Sequence, residues 1–535
     1  MLEQQALGTT LDASAEAGNW AILATAGLAA CALLTVASHT SSSLLFLTAA
    51  ILFAFVNNCL FSLLHEAVHG KFAQDSERNA VAGTIAAAFF PTSFTLQRSA
   101  HLTHHRNNRS DLERFDYIGP DENIPLKTGQ WFSILTGFYW LGIPFALTVY
   151  VLFAELIPWK RLVRPGSRFA TQTSAGEFLE SLMRLPLWRV RAEFLFSVAV
   201  QAGLVWALDL TLLGWAACYG AFALAWSSLQ YADHAFTRLD RDEGAWNLRV
   251  GSFTRRMFLN YHDHLEHHRE PSRPWRILPS RVDTAQHRPR FVEILYLMWQ
   301  GPRLLPGSHQ SIARHKLLQW SIIICHAIIF GLAFALLYGL SSMRFPMHDS
   351  LYSVDIPLDR LVPFVPSAGW MYITIVPLML VTAFILGTAE RTLPFLAALM
   401  LQLVVAVLLF EFVPVPGPIP PTMRLEEPGR IGFMIADTVN LNGNYFPSLH
   451  VALAVSCTWA AWPRVAWAGR LALSIWAAAI CVSTLLTWQH WVLDVVAGAG
   501  MAALVMGAIY PRLIAARDRI EAMLIAHPAS SVGKS

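Results

Sequence analysis

The chain has 535 residues and a formal net charge of +3, with 55% of its residues hydrophobic and only 14% charged, and its mean hydropathy is +0.43. A composition this apolar excludes an ordinary water-soluble protein and places the chain in a membrane. The small positive excess carries no nucleic-acid signal, because the basic residues fall in loops flanking apolar runs, where membrane topology accounts for them. The six cysteines stand singly with no CxxC pair, so they give no sign of a disulfide framework, a structural zinc site or an iron–sulfur site.

The first nineteen residues hold Glu3, Asp12 and Glu16 but no Lys or Arg, so they lack the basic region of a secretory signal and the run Trp20–Ala37 reads as an anchor. A second span follows at Leu44–Leu64. The run Val81–Phe90 is too short to cross twice, which keeps the polar stretches before and after it on one side. Trp131–Leu156 is apolar enough to span, but the loop behind it carries Lys160, Arg161, Arg164, Arg168, Arg184, Arg189 and Arg191, the mark of a cytoplasmic loop. That stretch is therefore expected to be re-entrant or interfacial. The run Phe194–Leu229, interrupted at Asp209, supplies a second hairpin, giving four spans. A polar, Arg- and Pro-rich stretch from Arg269 to Lys316 reads as a linker with an interfacial helix near Val292–Trp299, and it sets the expected domains at 1–310 and 311–535. The second region offers six spans, near 317–340, 370–388, 392–412, 449–463, 471–487 and 491–510. No repeat relates the halves.

Of nineteen histidines, eight fall in three groups: His65 and His69 in "HEAVH", His101, His104 and His105 in "HLTHH", and His264, His267 and His268 in "HLEHH". Spacings of three and four residues put side chains on one helical face, so each group can aim its imidazoles at one point. "HEAVH" alone matches the zinc-protease signature. Such a site uses three protein ligands and an open position, which leaves the other two groups without a role; eight histidines suit two metal ions. An intramembrane zinc protease predicts one zinc per chain, and the competing reading two irons. Imidazole accommodates iron, and groups at the ends of membrane helices point to a lipid substrate. Oxidising an unactivated hydrocarbon needs an oxidant that iron and dioxygen provide and side chains do not.

The order HxxxH, HxxHH and distal HxxHH at 65, 101 and 264 resembles the membrane fatty-acid desaturase and hydroxylase superfamily over roughly residues 40 to 280. The resemblance implies that His65, His69, His101, His104, His105, His264, His267 and His268 bind two iron ions, with dioxygen as co-substrate and a fatty acyl chain or lipid as substrate. "NYHDHLEHH" has an extra His-Asp pair, so His262 competes with His264. His234, in "YADH", resembles the further histidine that many members place after their last span; a helix-end histidine without a ligand role is the competing reading. Glu66, Asp111 and Glu113 are candidates to orient imidazoles, against solvated loop charges. Desaturation is the expected outcome, with hydroxylation or oxidative decarboxylation to a terminal alkene as alternatives set by substrate positioning. The chain has no haem or iron–sulfur motif, so electrons are expected from a separate ferredoxin- or cytochrome-like donor. Arg98, Arg106, Arg109, Arg255, Arg256 and Arg276 put this face in the cytoplasm.

In the second region, "NYFPSLH" ends at His450, and "TWQHWVLD" places Asp494 one helical turn after His490. Two histidines with a carboxylate beside one of them suit covalent phosphoryl transfer: one ring attacks, the carboxylate orients it, and the other ring protonates the leaving oxygen. With "DIPLDRLVPFVP" at 355–366, these motifs resemble the type 2 phosphatidic-acid phosphatase superfamily, especially its inositol-phosphorylceramide-synthase-like branch, over about 345 to 512. The resemblance implies His490 as nucleophile, Asp494 as its orienting partner, His450 as acid and Ser448 as a phosphate contact. Two departures stand out: Thr484 sits where the family often has a phosphate-clamping Arg, and in "PPTMRLEEPGR" Arg424 or Arg430 would have to serve. A fold retained without activity, or used to hold a lipid, is the competing reading. Alternating the spans from Lys316 puts the turns near Arg391, Arg464 and Arg512 inside and this site on the opposite face. The expected fold is an all-α integral membrane protein, a four-span di-iron domain followed by a six-span lipid-phosphatase-like domain; a non-catalytic lipid-binding or transport protein is the alternative of another class.

Overall fold

The computed structural model describes residues 11–110, 113–158, 161, 180–283, 285–306, 311–345, 351–419 and 429–526. It is an all-α membrane protein: among the described residues nine helices are long and apolar enough to cross a bilayer, and the only paired strands are two residues each. The chain divides into two compact units, Met1–Gln310 and Ser311–Met523.

In the first unit, α1 (Ala13–His39) begins at Asp12, whose carboxylate accepts the Ala15 N–H, and α2 (Ser43–Val68) begins at Ser42 in the same way. These side chains take up backbone donors that a helix start leaves unpaired. Helix α2 is the core element. Every residue from Val56 to Val68 is buried, because α1, α3 (Ser76–Phe89) and α8 (Leu212–Ala232) pack around it. A helix apolar on all sides sits in a protein core or in membrane lipid, and this half of α2 takes the first of these. Its last turns, which carry His65 to Val68 of "HEAVH", lie within this buried stretch. Helix α4 (Phe94–Asn107) carries "HLTHH".

The stretch expected to be re-entrant or interfacial forms α5 (Ile124–Leu135) and α6 (Phe138–Phe153), bent by 100°. The break falls at Gly137, which has φ +80° and stands so close to α8 that a Cβ would meet the Ala223 carbonyl carbon at 3.0 Å; both features call for glycine. The predicted hairpin is α7 (Leu187–Ala207) followed by α8, turned at Asp209 with φ +48°.

The linker reading fails for residues 269–306. Trp275 Nε1 donates to Asn19, Trp131 Nε1 donates to the Met298 carbonyl, and β1 (Tyr117–Ile118) pairs in parallel with β2 (Arg303–Leu304). Polar composition suggests a loop, but here Arg and Pro residues alternate with Trp275, Leu278, Ile294, Leu297 and Met298, and the last four of these are buried in the first unit. "HLEHH" lies on the short α10 (His264–Arg269), after α9 (Ser252–Met257), and the expected interfacial helix is α11 (Phe291–Trp299).

The second unit contains α12 (Ile312–Arg344), α13 (Gly369–Tyr372), α14 (Ile375–Leu386), α15 (Ala389–Phe412), α16 (Gly429–Val439), α17 (Leu449–Ala461), α18 (Trp467–Leu486) and α19 (Val492–Leu504). Among its described residues five stretches are long and apolar enough to cross a bilayer. The expected span near 449–463 is the 13-residue α17, shorter than the roughly 20 residues that cross a bilayer. It is buried over most of its length and packs against α14, α15, α18 and α19.

Candidate active sites

Nine imidazoles converge in the first unit, in two groups: His65, His69, His101, His105 and His267 in one, and His104, His234, His264 and His268 in the other. Within each group one ligand-capable atom per residue lies within 4.8 Å of all the others. The grouping does not follow the sequence boxes. Successive helical residues point about 100° apart, so His104 and His105 turn to different groups, and His267 and His268 do the same.

Four ring-to-ring distances show what the arrangement fits. His69 and His101 bring their Nε2 atoms to 2.9 Å, His101 and His105 to 3.0 Å, His105 and His267 to 3.0 Å, and His234 and His264 to 3.1 Å. With metal–nitrogen bonds of about 2.1 Å, two donors at right angles on one ion stand about 3 Å apart. His65 Nε2 and His268 Nε2 are buried with no hydrogen-bond partner, as expected of atoms whose partner is an ion rather than protein. The all-imidazole donor set suits iron. Burial, reinforced by neighbouring charges, holds His69, His101, His105, His234, His264, His267 and His268 well below the ordinary imidazole value, so these rings are neutral, the form that binds a metal.

The second ring nitrogen is engaged in several cases. Glu113 lies 2.8 Å from His104 Nδ1, the Gly244 carbonyl 2.8 Å from His234 Nδ1, and Asn108 Nδ2 3.4 Å from His268 Nδ1. The two acceptors, Glu113 and the Gly244 carbonyl, take the Nδ1 proton and leave Nε2 of His104 and His234 to face the group. Glu66 instead accepts the Trp275 N–H at 3.2 Å, and Asp111 lies outside the described residues. His234 joins the second group, whereas His262 joins neither: it is fully buried, 3.7 Å from Asp263. Asp233, next to His234, is fully buried, and neither carboxylate oxygen has a partner; burial raises its pKa well above the carboxylate range.

Sequence reasoning missed the frame behind these rings. Arg109, counted among the arginines that mark the cytoplasmic face, is fully buried. It donates to both oxygens of Asp116 at 2.7 and 2.9 Å, to Tyr231 at 3.0 Å and to the Thr237 carbonyl at 2.9 Å. Tyr231 and the Phe236 N–H also donate to Asp116. This network ties the segment after α4 to the end of α8 on either side of His234. Glu193, inside the apolar α7, accepts from Ser93 Oγ at 2.6 Å and from Thr95 N and Oγ1 at 2.7 and 2.8 Å, which anchors the start of α4. The one signal in the sequence was an acidic residue inside an apolar helix.

In the second unit, the rings of His450 and His490 have centroids 6.4 Å apart, and His490 Nδ1 is 3.4 Å from Asp494 Oδ2. Ser448 caps α17 through Val451 N and is fully buried. Asp494 caps the start of α19 by accepting the Trp491 N–H at 2.8 Å, and Asp359 accepts the Val492 N–H at 2.8 Å. His450 stacks on Tyr372 with centroids 3.9 Å apart. Thr484 is buried; its hydroxyl donates to the Cys481 carbonyl, and its own carbonyl accepts from Gln489 and His490. Arg430 is exposed at the start of α16, while His450, His490, Asp494 and Ser448 are buried. Arg424 lies outside the described residues.

Two family models match the chain, in this order. Residues 41–302 match the fatty acid desaturase family, and residues 365–508 match the PAP2 superfamily. No curated protein matches the chain.

Proposed function

From a chain that joins a fatty acid desaturase region to a PAP2 region, we propose an oxygen-dependent di-iron oxidase of a fatty acyl chain, with desaturation as the outcome, occupying residues 1–310. A lipid phosphatase or phosphotransferase domain occupies 311–535. One observation carries the first reading: nine imidazoles from four separate segments meet in two groups at spacings suited to the coordination spheres of two ions.

His65, His69, His101, His105 and His267 would hold one iron, and His104, His234, His264 and His268 the other. Iron so held supplies, with dioxygen and electrons from an external ferredoxin- or cytochrome-like donor, the oxidising power to remove hydrogen from an unactivated chain. The protein's part is positional. Glu113 and the Gly244 carbonyl fix the tautomer and ring plane of His104 and His234, so that their Nε2 lone pairs face inward. Burial keeps the rings neutral and bulk water away from the reacting carbon. The acyl chain's placement beside the two groups then selects alkene over alcohol.

In the second domain His490 is the nucleophile, Asp494 orients it, His450 protonates the leaving oxygen and Ser448 contacts phosphate. The histidine groups face the cytoplasm and this second site the opposite side, a reading supported by the arginine distribution.

The test is lipid profiling and metal analysis of the intact chain, His268→Ala and His490→Ala. Two irons per chain are expected, with oxidised acyl products lost in His268→Ala and retained in His490→Ala. One zinc per chain, or unchanged oxidation in His268→Ala, refutes the oxidase reading.

A further inference from the structure

Two buried oxygens at the His450–His490 pair have no hydrogen-bond partner, Tyr372 Oη and Asp494 Oδ1, while His490 Nδ1 faces Asp494 Oδ2 at 3.4 Å. Native structures satisfy most buried polar atoms, because an unmet one has lost its water for nothing. An unmet hydroxyl and an unmet carboxylate oxygen at one site indicate a polar ligand. Asp494 already has a role; the Tyr372 phenol does not. Tyr372 is 0% exposed and its ring stacks on His450 at an interplanar angle of 30°.

The site's charge balance gives that hydroxyl a task. Thr484 stands where a guanidinium is expected, and its hydroxyl and carbonyl are both engaged within the backbone. Acidic and phenolic groups crowd the site: Tyr338, Tyr445 and Asp437 act on Tyr372, and Asp359 acts on Asp494. With Thr484 in place of a guanidinium, a neutral hydroxyl donor can share in stabilising the negative charge that builds up on a phosphoryl oxygen here.

Resting on the phosphoryl-transfer reading of the second domain, we infer that Tyr372 donates a hydrogen bond to a phosphoryl oxygen of the lipid ligand held between His450 and His490. A His490 nitrogen forms a bond to phosphorus as the bond from phosphorus to the leaving alcohol oxygen breaks, and that oxygen takes its proton from protonated His450. Water then breaks the nitrogen–phosphorus bond: its oxygen goes to phosphorus and its proton returns to His450. Tyr372 transfers nothing. Its O–H stabilises the oxygen that gains charge in both steps.

Tyr372→Phe deletes only the hydroxyl and keeps the ring stacked on His450. The full-length protein in lipid nanodiscs is titrated with orthovanadate, a phosphoryl-transfer mimic, and binding is followed by vanadium NMR alongside phosphatidic acid hydrolysis. The expected result is vanadate binding about tenfold or more weaker in Tyr372→Phe, a matching fall in kcat with little change in KM, an unchanged unfolding midpoint, and loss of binding in His490→Ala. Vanadate affinity in Tyr372→Phe within twofold of the wild type, with binding still lost in His490→Ala, overturns the inference alone. No vanadate binding by the wild type overturns the phosphoryl-transfer reading and the inference together.

Discussion

Glu193→Ala tests whether the histidine groups depend on an anchor that no ligand touches. The Glu193 carboxylate accepts three hydrogen bonds from Ser93 and Thr95, at 2.6 to 2.8 Å, and a fourth from Arg189 Nε at 3.0 Å. Arg189 is 44% exposed, so its share is screened and small. The other three bonds lie at the start of α4, where Ser93 is buried and Thr95 half-buried. Alanine leaves the Thr95 N–H and both hydroxyls without their acceptor. Each unmet buried donor costs about 1–3 kcal/mol, and the hydroxyls recover part of this by rotating to other acceptors, so the loss should be about 3 kcal/mol. The strain falls on the helix that carries His101, His104 and His105, so iron retention should fall with stability. Glu193→Gln keeps a carbonyl acceptor and should lose about half as much. The assay is thermal unfolding of purified protein followed by size-exclusion chromatography, with iron measured per chain. Wild-type unfolding and full iron content in Glu193→Ala would refute the anchoring argument.

Three further outcomes are expected. Glu113→Gln weakens the orientation of His104 and should lower iron affinity by about 10- to 100-fold, read by competition with a chelator, while the second domain's vanadate binding stays unchanged. Asp116→Asn leaves the fully buried Arg109 guanidinium without its carboxylate, and breaking a buried pair in this way costs about 3–5 kcal/mol, measured as a lower unfolding midpoint. The metal-free protein should lose stability on acidification. Seven of the clustered rings have folded-state pKa values far below about 6.5, so below that pH the unfolded chain binds protons that the folded chain does not. Each such ring contributes a slope of at most about 1.4 kcal/mol per pH unit, with stability full above about pH 6.5 and declining below it; a flat profile from pH 7.5 to 5.5 would contradict the neutral, buried state of these rings.

Much of the site was legible because its chemistry lies in residue type and short spacing. Histidines three and four apart share a helical face wherever the helix is packed, and an apolar run of span length has few alternatives to a membrane helix. The helix pairs at 13–39 and 43–68 and at 187–207 and 212–232 follow from that local information. The linker reading of 269–306 erred because polar composition does not reveal a segment whose few apolar side chains each find a buried seat.

Sequence alone determined the membrane class, the two-part organisation and which histidines were candidates, because periodicity, hydropathy and ligand chemistry are local properties. Tertiary structure decided which imidazoles share a group, that His234 joins them and His262 does not, and that Arg109 is a buried internal strut. These outcomes depend on contacts between residues as far apart as Glu66 and Trp275, or Arg109 and Tyr231. No periodicity encodes such distances; they arise only when separate helices bury a shared polar core and each donor must find its acceptor there.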